Sequence, residues 1–405
     1  MKVLVMAIYF YKKGLKGFER NKTGYGLLIP EIAMSVGASN TVFLQTYRNT
    51  RQKKLESEYG SCVLLDKPLF GIESFNLKGI KCAIKCFVSD KSSLRERLHK
   101  AYYWMNYGQA VGAIHRNKPD IVHINNICEP FIQACIDTHT PYIVSLHGLN
   151  GFLPRDSEII RTLEKFVVEQ TKDNRYFTVI SSGIKKRIES DYLNGVKAPN
   201  ILVVTNGTDI QRRVHLDPLD KQNRRNIITV IGTICDNKNQ KQVLEAIDYL
   251  GERFNNWELH LCGADGLNGK LQEYTKKHCL DNKVIFHGFI EPSEIDALLN
   301  TAKLNILASK DEGFGISMIE AFAHGVPSVT FSDLDAIEDI YNPQAMLLCS
   351  TRKTEDLAET ICSAMNKEWS QEEIVNHAMT FSLQNMALKY MSAYEKVLSQ
   401  SGVRK

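Results

Sequence analysis

The sequence predicts an α/β protein of two domains, each built on a doubly wound parallel sheet. Three observations lead there. The chain has 405 residues, more than one hydrophobic core usually serves. Apolar runs of four to seven residues, without polar alternation, recur between helical stretches, which suits strands buried on both faces. The pattern then stops at a polar stretch, residues 211–225, and starts again. A hydrophobic share of 43% and a charged share of 24% fit a soluble globular chain. No apolar run reaches the roughly 18 residues that suggest a membrane span.

In the first half, strands are expected at 2–9, 41–45, 62–65, 120–124, 142–146, 177–180 and 201–204. The opening run Val3-Leu4-Val5-Met6-Ala7-Ile8-Tyr9-Phe10 could pass for a signal-peptide core. Lys12 and Lys13 follow it in place of a small-residue cleavage site, so a buried first strand is the better reading. Helical periodicity falls near 25–36, 94–114, 130–137, 157–170 and 184–192. After the linker come strands at 227–231, 258–262, 284–287, 304–308, 328–331 and 346–348, with helices near 240–250, 267–278, 293–301 and 316–324. Such alternation predicts right-handed crossovers and binding crevices at the carboxyl ends of the strands. The domains are expected at 1–210 and 225–381. The tail 382–405 has the amphipathic helical pattern of Met386, Tyr390, Met391, Tyr394 and Val397.

The ten cysteines are scattered and none forms a C-x-x-C pair, which suits reduced thiols in a cytoplasmic protein. Cys82 and Cys86 share a helical face but have no second ligand pair, which argues against zinc. The net charge of +4 divides unevenly: residues 1–200 carry 29 Lys/Arg against 18 Asp/Glu, and the rest of the chain is acidic. No basic segment has the form of a nucleic-acid module. Residues 78–104 interleave Lys78, Lys81, Lys85, Arg95 and Arg97 with Ile84, Phe87, Leu98, Tyr103 and Trp104. That mixture suits peripheral docking on an anionic membrane, or an ordinary helix with a solvated face.

The segment most informative about chemistry runs from Ser309 to Val329. A strand enters the turn Asp311-Glu312-Gly313-Phe314-Gly315, and a helix begins at Ile316. Glycines there let the backbone approach a ligand, and a helix start offers free N–H groups and a positive dipole end to phosphate. Glu312 before the helix and Glu320 within it can border one cleft and accept hydrogen bonds from hydroxyls. At the start of the second half, Gly232-Thr233-Ile234-Cys235-Asp236-Asn237-Lys238 follows a strand and precedes a helix. In the first half, His147-Gly148 ends one strand, and His123 with Asn125 and Asn126 ends another. Either histidine could face an acceptor. Gly24 and Gly26 punctuate the first loop, and Gly288-Phe289-Ile290 follows the strand at 284–287.

The spacing Glu312–Glu320 closely resembles the E-x7-E motif of the family 4 retaining glycosyltransferases, which have the GT-B fold of two Rossmann-like domains facing across a cleft. The resemblance spans nearly the whole chain and is strongest over 200–340. It implies that Glu312 contacts the donor sugar and Glu320 the nucleotide ribose. The amides of Gly313, Phe314, Gly315 and Ile316 would hold sugar and phosphates, and Ile290 would meet the base. His147 would position the donor, Lys238 would grip the diphosphate, and Gly24 and Gly26 would border phosphates and acceptor. It also implies that the last helix crosses back to complete the first domain. The sequence departs from the family at Thr233, where an arginine is usual. Threonine offers a hydrogen bond and no charge to a leaving phosphate.

The implied function is retaining transfer of a sugar from a UDP- or GDP-sugar to a glycan or lipid-linked acceptor. Surface polysaccharide or lipopolysaccharide assembly, at the inner face of the cytoplasmic membrane, is the expected setting. No cofactor and no metal are expected. Asp333-Leu334-Asp335 follows a strand outside the context of a metal site. Thr233 favours an alternative, a non-catalytic nucleotide-sugar-binding subunit. Another GT-B enzyme such as an epimerase or a phosphorylase is a further alternative.

Overall fold

The computed structural model describes residues 1–7, 32, 41–44, 53–57, 60–65, 76–89, 94, 97, 98, 101, 104, 106–148, 165–169, 175–210, 213 and 224–400. Its strands are β1 (Val3–Ala7), β2 (Thr41–Leu44), β3 (Lys53–Ser57), β4 (Gly60–Leu65), β5 (Ile121–Asn125), β6 (Tyr142–Leu146), β7 (Phe177–Val179) and β8 (Ile201–Val203), then β9 (Ile227–Ile231), β10 (Glu258–Cys262), β11 (Val284–Gly288), β12 (Leu304–Leu307), β13 (Ser328–Phe331) and β14 (Met346–Cys349). The helices are α1 (Leu77–Ser89), α2 (Asn106–Asn117), α3 (Glu129–Asp137), α4 (Ser182–Asp191), α5 (Gln240–Leu250), α6 (Lys270–Lys277), α7 (Pro292–Thr301), α8 (Ile316–Ala323), α9 (Ile337–Ile340), α10 (Thr354–Asn366), α11 (Gln371–Met379) and α12 (Leu383–Gln400).

The first sheet runs β1-β5-β6-β7-β8, all parallel. Its middle strands are the apolar runs read from the sequence, and every residue of β1, β5, β6 and β7 is buried. The expected strands at 41–45 and 62–65 do not join this sheet. They form a separate three-stranded sheet in which β2 and β4 are parallel and β3 pairs with β4 antiparallel. β3 was not expected, because Lys53-Lys54-Leu55-Glu56-Ser57 has too few apolar residues to signal a strand. The helix expected at 94–114 begins its described continuous part at Asn106, and α1 precedes it.

The second sheet runs β11-β10-β9-β12-β13-β14, all parallel. Every strand of it was legible in the sequence to within one residue. The order reverses direction between β9 and β12. Loops leaving the carboxyl ends of those two strands therefore diverge and open a crevice.

The polypeptide crosses between the sheets twice, and the two crossings lie side by side. Thr208 N donates to Phe381 O at 3.0 Å, and Leu383 N donates to Thr208 O at 3.1 Å. Helix α12 then covers the first sheet. Its Tyr390 and Tyr394 are fully buried in one cluster with Val3, Val5, Ile121 and Ile143. A polar chain runs beneath it. Tyr394 Oη lies 2.7 Å from His123 Nδ1, His123 Nε2 lies 2.6 Å from Ser145 Oγ, and Ser145 Oγ lies 2.5 Å from Thr178 Oγ1. Burying these groups is tolerable because each finds a partner. His123 thus does not face an acceptor. β5 runs on to Asn125, so His123 sits inside the strand, under α12 and closed to solvent.

Candidate functional site

The site forms where the loops after β9 and β12 diverge. Asn237 stitches the two loops together: its Nδ2 donates to Asp311 O at 3.1 Å, its Oδ1 accepts from Asp311 N at 3.1 Å, and its carbonyl accepts from Lys310 N at 2.8 Å. Arg352 braces the second loop from the β14 side. It donates to Ser309 O at 2.7 Å, forks onto Asp333 at 2.9 and 2.6 Å, and lies 4.0 Å over the Phe331 ring. This bracing brings Lys238 Nζ onto Glu312 Oε2, which also accepts from Ser309 Oγ at 3.2 Å. Both members of the ion pair keep some solvent access, with side chains 26% and 17% exposed, so an incoming anion can reach Lys238.

Gly315 caps α8 in the left-handed region (φ 84°), and no side chain caps that end. A Cβ at this position would also meet Met318 Cε at 2.7 Å. Glycine is therefore required by conformation and by space. The result is a helix start whose first N–H groups, beginning at Ile316, remain for a ligand. Phe314 is buried and packs edge-on against Phe381, so only its backbone is offered to the crevice.

The first sheet supplies the opposite wall. A Cβ on Gly313 would stand 3.5 Å from His147 O and 3.1 Å from Ile180 Cδ1. The carboxyl ends of the two sheets therefore face each other. Arg187 of α4 reaches across to Asp311 at 3.0 Å and to Asp335 at 2.5 Å. Asp339 accepts from Ser182 N at 2.6 Å and Ser182 Oγ at 2.7 Å at the start of α4. Gly183 allows this approach, since a Cβ there would lie 2.1 Å from Asp335 O.

His147 Nε2 lies 2.9 Å from the Asn125 side-chain amide, a hydrogen bond that ties the ends of β6 and β5 together. Burial pushes the His147 pKa down to about 3, and burial aided by the nearby His147 does the same to His123. Both rings are neutral in the folded chain, whereas free histidine titrates near about 6.5. Stability from this source is complete above about pH 6.5 and is lost as pH falls from there toward 3, because only the unfolded chain takes up the protons. The urea midpoint is expected to fall between about pH 6.5 and 4.5, and to fall less steeply in His147→Gln. Equal slopes in both proteins would show that His147 is charged in the folded state.

Glu320 does not stand open in the crevice. Its Oε1 accepts from Arg213 Nη2 at 2.8 Å, and Arg213 Nη1 also holds Asp296. Thr233 is exposed at the rim of the first loop. Ile290 is half-buried and packs with Ile231, Cys262 and Ala321. Gly24 and Gly26 lie outside the described residues. Sequence reading missed Arg187, Arg213, Asn237 and Arg352, which resemble solvated polar residues until the fold brings them to their partners. Among the described residues, no group of three or more His, Cys, Asp or Glu is arranged to hold a metal. No described helix is long and apolar enough to cross a membrane.

Residues 211–380 match the family model Glycosyl transferases group 1, and residues 88–212 match Glycosyltransferase Family 4. Lipopolysaccharide 1,6-galactosyltransferase of Salmonella typhimurium is 25% identical over 170 residues, 42% of this chain and 46% of that protein. The match thus spans just under half the length of that relative. A solved glycosyltransferase from Rickettsia africae superposes with a TM-score of 0.68 at 16% identity, over 98% of this chain and 99% of that one. HepE of Anabaena, solved in complex with UDP, gives 0.66 at 15% identity, over 98% and 100%.

Proposed function

The chain belongs to the family 4 glycosyltransferases of the GT-B fold, and from that premise we propose that it transfers a sugar from a nucleoside-diphosphate sugar to a glycan or lipid-linked acceptor with retention. The observation that carries this reading is the Lys238–Glu312 pair beside the uncapped start of α8. The diphosphate binds against Lys238 and the amides that open α8, while Glu312 accepts hydrogen bonds from the sugar hydroxyls. As the C1–O bond to the diphosphate breaks, positive charge grows on the ring and negative charge on the leaving group. Lys238 and the α8 dipole stabilise the negative charge without need of a metal. The acceptor oxygen bonds to C1 on the same face, and its proton passes to the departing phosphate oxygen. Neutral His147 positions the donor, and its depressed pKa makes it a poor proton acceptor.

Calorimetric titration with UDP, GDP and ADP, with and without Mg²⁺, tests this reading. Metal-independent binding of one nucleotide, lost in Glu320→Ala, is expected. No binding of any nucleotide would overturn it. Binding without turnover over a broad acceptor panel would favour a non-catalytic nucleotide-sugar-binding subunit, the reading that Thr233 supports.

The likeness to a lipopolysaccharide galactosyltransferase supports surface-glycan assembly at a membrane as the setting. Helix α1 supports peripheral docking there. Leu77, Ile84 and Val88 are 75%, 59% and 72% exposed, on a face shared with exposed Lys81 and Lys85. The helix carries no acidic residue, so apolar contact and attraction to anionic headgroups act together. The wild type is expected to float with anionic liposomes and not with neutral ones, and Ile84→Glu is expected to remove most of that binding. Equal recovery from both lipids would sink the docking reading.

A further inference from the structure

We propose that Arg213, on the segment joining the two sheets, is a positioning residue for nucleotide binding: it fixes one oxygen of Glu320 and leaves the other to the ribose. The inference rests on the reading that Glu320 is the ribose acceptor. Arg213 is 4% exposed. Its guanidinium forks between two helices, with Nη2 2.8 Å from Glu320 Oε1 on α8 and Nη1 on Asp296 Oδ1 of α7. Asp296 is held in turn by His324 Nε2 at 3.3 Å, and His324 Nδ1 lies 2.7 Å from Asn300 Oδ1. The carboxylate that Arg213 grips on α7 is therefore itself immobilised. Glu320 keeps its side chain 17% exposed, and among the described residues Oε1 is the oxygen that a protein group occupies.

A carboxylate tied through one oxygen to a planar fork loses its torsional freedom and presents its remaining lone pairs in a fixed direction. Such pre-ordering strengthens a hydrogen bond to a hydroxyl without touching the ligand. Arg213 also lies on the first crossing between the sheets.

The test compares UDP with 2′,3′-dideoxy-UDP, and GDP with its dideoxy analogue, by calorimetry on the full chain. The wild type is expected to prefer the ribonucleotide at least tenfold. Arg213→Lys keeps the charge and loses the fork. It is expected to cut that preference several-fold while leaving dideoxynucleotide affinity within twofold. Arg213→Gln serves as the second variant if Arg213→Lys does not fold. An unchanged preference in a folded variant, whatever its stability, would make Arg213 a scaffold residue and overturn the proposal, as would failure of both variants to fold. A wild type that binds both nucleotides of a pair equally would instead remove Glu320 from the ribose, which is a failure of the underlying reading. Binding of neither pair would overturn both.

Discussion

Replacing Lys238 by methionine is expected to lower sugar transfer by about two to three orders of magnitude, the usual cost of removing one group aimed at developing charge, while the protein stays folded. The fold tolerates the change because the Lys238–Glu312 pair is partly exposed, and such pairs contribute about 1 kcal/mol or less to stability. Sugar transfer is not expected to tolerate it. Thr233 stands where the family places an arginine, so on the proposed reading Lys238 would carry a larger share of the charge that balances the leaving diphosphate. Glu312→Gln is expected to act differently, keeping a hydrogen-bonding group toward the sugar but releasing Lys238 from its partner. Single-turnover rates with saturating donor would separate the two effects. Transfer near the wild-type rate in Lys238→Met would remove that residue from its role.

Tyr394→Ala is expected to cost about 3–5 kcal/mol of stability, as truncation of a buried aromatic commonly does. Tyr394 is fully buried within the cluster that joins α12 to the first sheet, and its hydroxyl partners His123 Nδ1. The truncation therefore leaves both a cavity and a buried His123 Nδ1 that has lost this partner. Tyr394→Phe removes the hydrogen bond alone and is expected to cost about 1–3 kcal/mol. Urea denaturation measures both. A loss below about 1 kcal/mol in Tyr394→Ala would mean that α12 contributes little to the core of the first sheet.

The second sheet was legible because its strands are unbroken β-branched and aliphatic runs that can only be buried. The loop from Ser309 to Gly315 was legible because an apolar strand, a glycine-punctuated turn and a helical run follow one another there in the order of a βα unit. Lys53–Ser57 was not, since two lysines and a glutamate on an edge strand resemble a loop. His123 was misplaced because a histidine near a strand end looks the same one turn of the pleat short of the end as it does beyond it. Arg213 was hidden for a different reason. It lies in a polar linker, and only the three-dimensional approach of α7 and α8 gives it two carboxylates to hold.

Helix α12 has a consequence for how the protein is made. The first domain's strands leave the ribosome early, yet among the described residues most of the side chains packed on the face formed by Val3, Val5, Ile121 and Ile143 come from residues 383–400. At about 5–20 residues per second, the intervening stretch of about 190 residues takes on the order of ten to forty seconds to synthesise. Throughout that interval the early half lacks the Tyr390 and Tyr394 side chains that pack on this sheet face, while the second domain can close on itself. The later-made domain would then mature first, and the nascent first domain would be the part that needs a chaperone's shelter.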